Sequence, residues 1–320
     1  MPERPSHTIN KQALYNKNFM TAPKILFWFM QKGYLQGVFW AIMINVVSAG
    51  NDTITRYTGL QMHWVQVLFF RYLFGMLLVL PFMIKDTSLF KTTQISGHVL
   101  RAIIGTIGIG ACCFSVIHMP FSENETIMFT QPFIFLILAY FLLKEHVTKH
   151  RWFATIIGFL GLLIVIRPGT EMFRWIAVVP LISALSFALL DMFATRMVKT
   201  DRDVTLIFYF AVGTMLCTTV PLFFFWQTPT VHQLLWLACL GLGGNLIQVC
   251  IYRAFSATEA SGLMPFRYTS LLIASIAEFI FFGITPTTNV LIGAIFIITS
   301  AIYIATYEKR REVQKELRAA

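Results

Sequence analysis

The chain has 320 residues, 57% of them hydrophobic and only 12% charged, about half the charged share of a typical soluble domain. That balance excludes two soluble domains, and repeated apolar runs of about 20 residues have the length of bilayer-crossing helices. The net charge of +10 does not signal nucleic acid, because the basic residues sort by position along the chain rather than forming one patch.

Residues 1–33 are expected to form a cytoplasmic N-terminal segment. Within it, APKILFWFMQKG (22–33) is short, aromatic and flanked by Lys24 and Lys32, which suits a helix lying at the membrane interface. No cleavable signal peptide is expected. Ten apolar segments follow, at 34–55, 63–84, 98–118, 122–142, 151–167, 175–197, 204–226, 232–254, 259–283 and 288–307. The expected fold class is an all-α membrane protein with ten transmembrane helices; the alternating segments of about 10 residues that mark a β-barrel do not occur. With the N-terminus inside, twenty Lys and Arg residues fall on the inner side, Arg101 and Arg151 among them, and three (Arg56, Arg167 and Arg174) on the outer side. This bias predicts that both termini are cytoplasmic, and it makes the basic tail 308–320 a topology determinant.

The five Cys residues are scattered and odd in number, so neither a disulfide framework nor a metal pattern is read from them. His146 and His150 have zinc-helix spacing but lack a third ligand nearby, and ordinary loop histidines are the simpler reading. No metal and no cofactor is expected, and no P-loop suggests ATP drive.

The two halves of the chain repeat a pattern. An offset of 136 places Glu123 on Glu259 and Gly108 on Gly244; an offset of 139 places Asp52 on Asp191, Ala154 on Gly293 and Gly161 on Ser300. These matches suggest a five-helix unit used twice, at 34–169 and 175–307. Two consecutive units with an odd number of helices cross the membrane in opposite directions. The expectation is thus a pair of inverted repeats with a substrate site near the midplane of their interface.

Ionisable residues inside the apolar segments carry the functional reading, since each costs roughly 2.5–3.5 kcal/mol to insert. Asp52 lies toward one end of the first segment and Asp191 toward the other end of the sixth. Arg71 is in the second segment and Arg267 deep in the ninth, beside Phe266 and Tyr268. Glu123, Glu125 and Glu259 open segments, where the helix dipole favours negative charge. Arg267 and Glu278 lie too far apart along a helix to pair, so Arg267 requires another acid, backbone carbonyls or an anionic substrate group. The expected substrate-binding set is Asp52, Asp191, Arg267, Tyr268, Phe266, Arg71, Glu259 and Glu123, with Arg267 holding a substrate carboxylate by two hydrogen bonds.

The run from Pro120 through Glu145 to Arg167-Pro168-Gly169, with Arg71 in FFRYLFGMLLVLPF, resembles the EamA type of the drug/metabolite transporter superfamily over about 34–308. The second half departs from the pattern where Gly283-Ile284 replaces the family's usual Gly-Glu. A narrower resemblance, to the S-adenosylmethionine uptake transporters of intracellular bacteria, rests on SAGNDTITRYTG (48–59), SFALLDMFATR (186–196) and RAFSATEASGLMPFRY (253–268). It implies an inner-membrane carrier that imports S-adenosylmethionine, in exchange for S-adenosylhomocysteine. Other readings are a riboflavin, amino-acid or metabolite carrier, an exporter, or, from a different class, a membrane-embedded enzyme or a scaffold. No enzyme-like convergence of His, Cys and acid residues is found, so an enzyme is not expected. The expected partners are a small molecule and the lipid bilayer, not nucleic acid; oligomeric state is not read from the sequence.

Overall fold

The computed structural model describes residues 33–59, 61–118, 127–166, 175–273, 276 and 288–319, and every regular element among them is helical. In chain order these are α1 (Tyr34–Gly59), α2 (Trp64–Lys85), a 3-10 turn (Thr87–Phe90) and α3 (Ile95–His118). Next come α4 (Gln131–Leu138), which ends in a π turn (Ala139–Leu143), and α5 (Lys149–Ile166). A 3-10 turn (Trp175–Ala177) leads into α6 (Val178–Met197), followed by α7 (Asp203–Leu222) and α8 (Val231–Ala257). The 3-10 segment Ala260–Tyr268 runs into α9 at 269–273, and α10 covers Thr288–Ala319.

Six of the described helices (α2, α3, α6, α7, α8 and α10) are long and apolar enough to cross a membrane. Their outward faces confirm the environment. On α3, Ile95, Val99, Ile103 and Ile107 recur every fourth residue and all are exposed; on α10, Leu291, Ile295, Ile298 and Ile302, at steps of four, three and four, are likewise exposed. A soluble monomer does not leave such long apolar stripes in water, whereas hydrocarbon favours them. Helices are the permitted form because each satisfies its backbone groups internally.

Helix ends are closed by local chemistry. Thr230 and Gln233 form a reciprocal capping box at the start of α8, side chain to backbone in both directions. The π turn after α4 ends at Lys144, the one non-glycine residue with positive φ (54°) among the described residues. Beyond this left-handed cap, Glu145 accepts hydrogen bonds from the Ser261 hydroxyl (2.5 Å) and amide (3.2 Å). In the loop after α2, the Ser88 hydroxyl and amide hold the Asp86 carboxyl below the usual range, and Arg202 pairs with it at 2.8 Å.

The packing pairs helices from the two halves. α1 packs on α8 and α3 on α6; α2 packs on α7 and α8, and α3 on α7; α5 packs on α10. The 3-10 segment touches α1, α4, α5 and α10. Between α5 and α10, Ser300 Oγ donates to the Ala154 carbonyl at 2.6 Å, while Gly161 lies against the Gly293 carbonyl. Contacts advancing along one helix and retreating along the other mean that α5 and α10 run in opposite directions. The same holds for α2 and α7, joined by Gln66–Gln227 hydrogen bonds near one end and by the Asp86–Arg202 pair beyond the other.

The structure alters two expectations. The ninth segment does not begin as an α-helix: its first nine residues wind as a 3-10 helix containing Gly262 and Pro265. Proline lacks the N–H that a regular α-helical ladder needs, and Gly262 lies against the Arg151 guanidinium and Tyr34. The basic tail is also more than a topology signal, because α10 continues through it to Ala319 and its acids turn back onto the bundle. Residues 22–32 of the expected interfacial helix lie outside the described residues.

Gly161 tests the close approach of α5 and α10. A Cβ there would sit 2.8 Å from the Gly293 carbonyl oxygen, whereas one at Gly50 would meet nothing within 4 Å. Gly161→Leu is expected to cost about 1–3 kcal/mol by overpacking and to lower the melting temperature in detergent. Gly50→Leu should leave it nearly unchanged. Equal melting temperatures for the two variants would contradict this packing.

Candidate functional site

Arg267 stands at the last turn of the 3-10 segment, and Asp191 faces it from α6. Arg267 Nη2 donates to Asp191 Oδ2 at 2.5 Å, and Gln131 Nε2, from α4, donates to the same oxygen at 2.8 Å. Asp191 is buried, while the Arg267 side chain keeps 24% of its surface exposed. Arg267 also lines a largely apolar cavity with Ala41, Ile44, Ala254, Phe255, Leu263 and Met264. The 3-10 winding is held by α1: Asn45 Nδ2 donates to the Phe266 carbonyl and to Thr269 Oγ1, both at 2.9 Å. Arg267 is therefore positioned by a fixed backbone and balanced by an acid from another helix.

A second cavity, of about 350 Å³ including its open mouth, lies between α2, α7 and α8. Arg71, Tyr72, Phe210, Gly244, Asn245 and Gln248 line it. Close approach by α8 is possible because a Cβ at Gly244 would fall 3.0 Å from Arg71 Nε, so glycine leaves the room that the guanidinium occupies. Arg71 has no ion pair among the described residues, and its Nε is buried without a hydrogen-bond partner. Its guanidinium lies 5.8 Å from the centre of the Tyr72 ring.

Arg101 adjoins this cavity from α3. It donates to the Tyr252 hydroxyl and to Gln248 Oε1 (3.4 Å), and its guanidinium lies 4.7 Å from the centre of the Phe210 ring. Only 2% of Arg101 is exposed, and its Nε also lacks a partner. No carboxylate among the described residues pairs with it.

At the end of the bundle where α1 begins and α10 finishes, Arg151 is the hub of an ionic network. It pairs with Glu259 (2.6 Å) and Glu308 (2.7 Å), and donates to Ser261 Oγ (2.6 Å). Ser261 in turn donates to Glu145, the Tyr34 hydroxyl donates to the Gly262 carbonyl, and Glu312 accepts from the Tyr34 amide. This network ties α1, α5, α10 and the 3-10 segment together at one mouth of the central region.

The structure brings some expected site residues together and separates others. Asp191 and Arg267 meet directly. Arg71 lines the neighbouring cavity, and no acid among the described residues pairs with it. Glu259 belongs to the Arg151 network. Phe266 is in the core, and Tyr268 is wedged against Gly158, between Phe129 and Phe159. Asp52 is carried on α1, but its side chain lies outside the described residues, as do Glu123, Glu125 and Glu278. Arg101 and Arg151 were counted with the exposed inner charges, yet both are buried. The signal was available: each sits within a few residues of an apolar run, close enough for one helical turn to draw it inside.

Apolar helices that leave their outer faces to lipid and gather guanidiniums and an acid around internal cavities define a multi-pass membrane protein that handles a polar solute. The chain belongs to the EamA-like transporter family, which matches residues 35–167 and again residues 174–306; it is a transporter and not an enzyme. Over 287 residues it is 33% identical to the S-adenosylmethionine uptake transporter of Rickettsia bellii, covering 89% of this chain and 98% of that one. The corresponding Rickettsia prowazekii transporter is 31% identical over 280 residues, covering 87% and 95%. The riboflavin transporter of Vibrio cholerae is 25% identical over 287 residues, covering 87% and 95%. A solved crystal structure shares the fold, with a TM-score of 0.70 at 14% identity, over 87% of this chain and 97% of that one.

The Asp191–Arg267 pair predicts a specific stability pattern. Removing one member of a buried pair strands the other charge and typically costs about 3–5 kcal/mol, whereas removing both is far cheaper. Asp191→Asn and Arg267→Gln are each expected to lower the melting temperature of the purified protein, and the double variant to recover most of the loss. Additive losses in the double variant would contradict the pairing.

Proposed function

We propose that the chain is a bacterial inner-membrane carrier that imports S-adenosylmethionine by alternating access, exchanging it for S-adenosylhomocysteine. The observation that carries the substrate is the likeness to S-adenosylmethionine uptake transporters across nearly their whole length. The match to riboflavin transporters is weaker, at 25% identity.

The chemistry of the central region supports this reading. S-adenosylmethionine carries a sulfonium and an ammonium, which need an acid; Asp191 is the acid on the path. In the substrate-free carrier Arg267 balances Asp191, so that no bare carboxylate is left in a low dielectric. An arriving cation competes with Arg267 for the same oxygen. Asp52, the counterpart of Asp191 in the first half, is proposed to serve the substrate's cations from the other repeat.

The architecture supports ten helices arranged as two inverted repeats, at 34–169 and 175–307. Exchanging the two halves with the offset of 139 turns the Ala154–Ser300 contact into Gly161–Gly293, and both contacts are present. The same exchange turns α1 on α8 into α3 on α6, and α2 on α8 into α3 on α7. Equivalent helices α2 and α7, and α5 and α10, run in opposite directions, as inversion requires. Rocking one half against the other would open the central cavities to alternate sides. The Arg151 network would then close the cytoplasmic mouth, with both termini cytoplasmic.

Cells expressing the chain are expected to take up radiolabelled S-adenosylmethionine saturably, and preloaded S-adenosylhomocysteine should accelerate the uptake. Correctly inserted protein that moves no S-adenosylmethionine would overturn the substrate. Saturable uptake indifferent to the preload would overturn the exchange and leave the substrate standing.

A further inference from the structure

We infer that the cavity between α2, α7 and α8 is a carboxylate-binding site, in which Arg71 contacts the anion and Arg101 reinforces it from α3. The inference rests on the proposed carrier function and moves the carboxylate end of the substrate away from Arg267, whose described oxygen partner is Asp191. The contrast among the internal arginines carries it. Arg151 and Arg267 each have acids within 2.7 Å. Arg71 and Arg101 have none among the described residues, and the Nε of each is buried without a partner.

A guanidinium whose Nε is shut away from water with no acid beside it is costly, and here Arg71 lines the unfilled space while Arg101 reaches its wall through Gln248. Their neighbours make the site more suitable for an anion than for a cation. Gln248 bridges the two, accepting from Arg101 while lining the cavity of Arg71. Asn245 points its amide at the Gly75 carbonyl (2.8 Å), which orients a polar side chain at the same wall. Phe210 and Tyr252 cover the Arg101 guanidinium, whose terminal nitrogens already donate to the Leu206 carbonyl, Gln248 and Tyr252, while Tyr72 lies beside the Arg71 guanidinium and leaves its N–H edge to bind. A planar guanidinium with a free edge matches a carboxylate in a two-bond arrangement. No acid stands on the described lining of the cavity to repel it.

The test uses purified full-length protein and pairs of ligands that differ only by a carboxylate. The pairs are S-adenosylmethionine with its decarboxylated analogue, and methionine with 3-(methylthio)propylamine at millimolar concentration. Binding is read by ligand-induced thermal shift and by competition. Wild type is expected to favour the carboxylate member by about tenfold or more, the scale of one charge-assisted contact. Arg71→Gln should reduce that preference to less than about threefold, and Arg71→Lys should restore part of it. Because the variant removes a half-buried charge that no described acid balances, Arg71→Gln without ligand should melt no lower than wild type, whereas a structural arginine would not be dispensable in this way. Arg101→Gln provides a second reading of the same preference.

If S-adenosylmethionine fails to bind while methionine still shows the Arg71-dependent preference, the substrate reading fails and the carboxylate site stands. If wild type prefers neither carboxylate, or Arg71→Gln and Arg101→Gln keep the full preference, the carboxylate site is overturned.

Discussion

A charge inside a lipid-embedded bundle must find its opposite, and the interior of this protein is organised by that requirement. Asp191 is satisfied twice, by Arg267 and by Gln131. Arg151 is satisfied by two acids and a hydroxyl. These groups come from α4, α5, α6, α10 and the 3-10 segment, so ionic closure also fixes how those elements meet. Around the second cavity no acid among the described residues pairs with Arg71 or Arg101, and the proposed carboxylate site would meet that need with the solute itself.

The family pattern occurs twice along the chain, and helices from one half pack against helices from the other. Gly161 against Gly293, and Ser300 against Ala154, show how tightly the outer pair α5 and α10 is drawn together. Cavities remain beside Arg71 and beside Arg267. The proposed alternating access would use that space, with each half moving as a unit around a bound solute.

Much of this was legible in the sequence. Helical segments were plain because apolar runs of bilayer length have few competing explanations; the offset of 139 aligned Ala154 with Gly293 and Gly161 with Ser300 but did not say that these residues meet across α5 and α10. The pairing of Asp191 with Arg267 was not legible: seventy-six residues separate them, and several acids were available. The fates of Arg101 and Arg151 were missed for a related reason. Counting charges by position treats an arginine near a segment end as solvated, but a long side chain one turn inside a helix can be drawn into the bundle when Tyr252 or Glu308 waits there. The 3-10 winding before α9 was hidden because the apolar pattern of 259–283 looks continuous; Pro265 was the local sign, and the hold of Asn45 on the Phe266 carbonyl is tertiary.

In the proposed mechanism Arg267 and a substrate cation compete for Asp191, and this competition is its central step. It is tested most directly by equilibrium binding of S-adenosylmethionine, a sulfonium, and S-adenosylhomocysteine, its neutral thioether counterpart, to purified protein. Wild type should bind the sulfonium more tightly, and the Asp191→Asn/Arg267→Gln double variant should bind the two alike. A double variant that keeps the wild-type preference would show that the sulfonium is recognised elsewhere, and would contradict the role assigned to this pair.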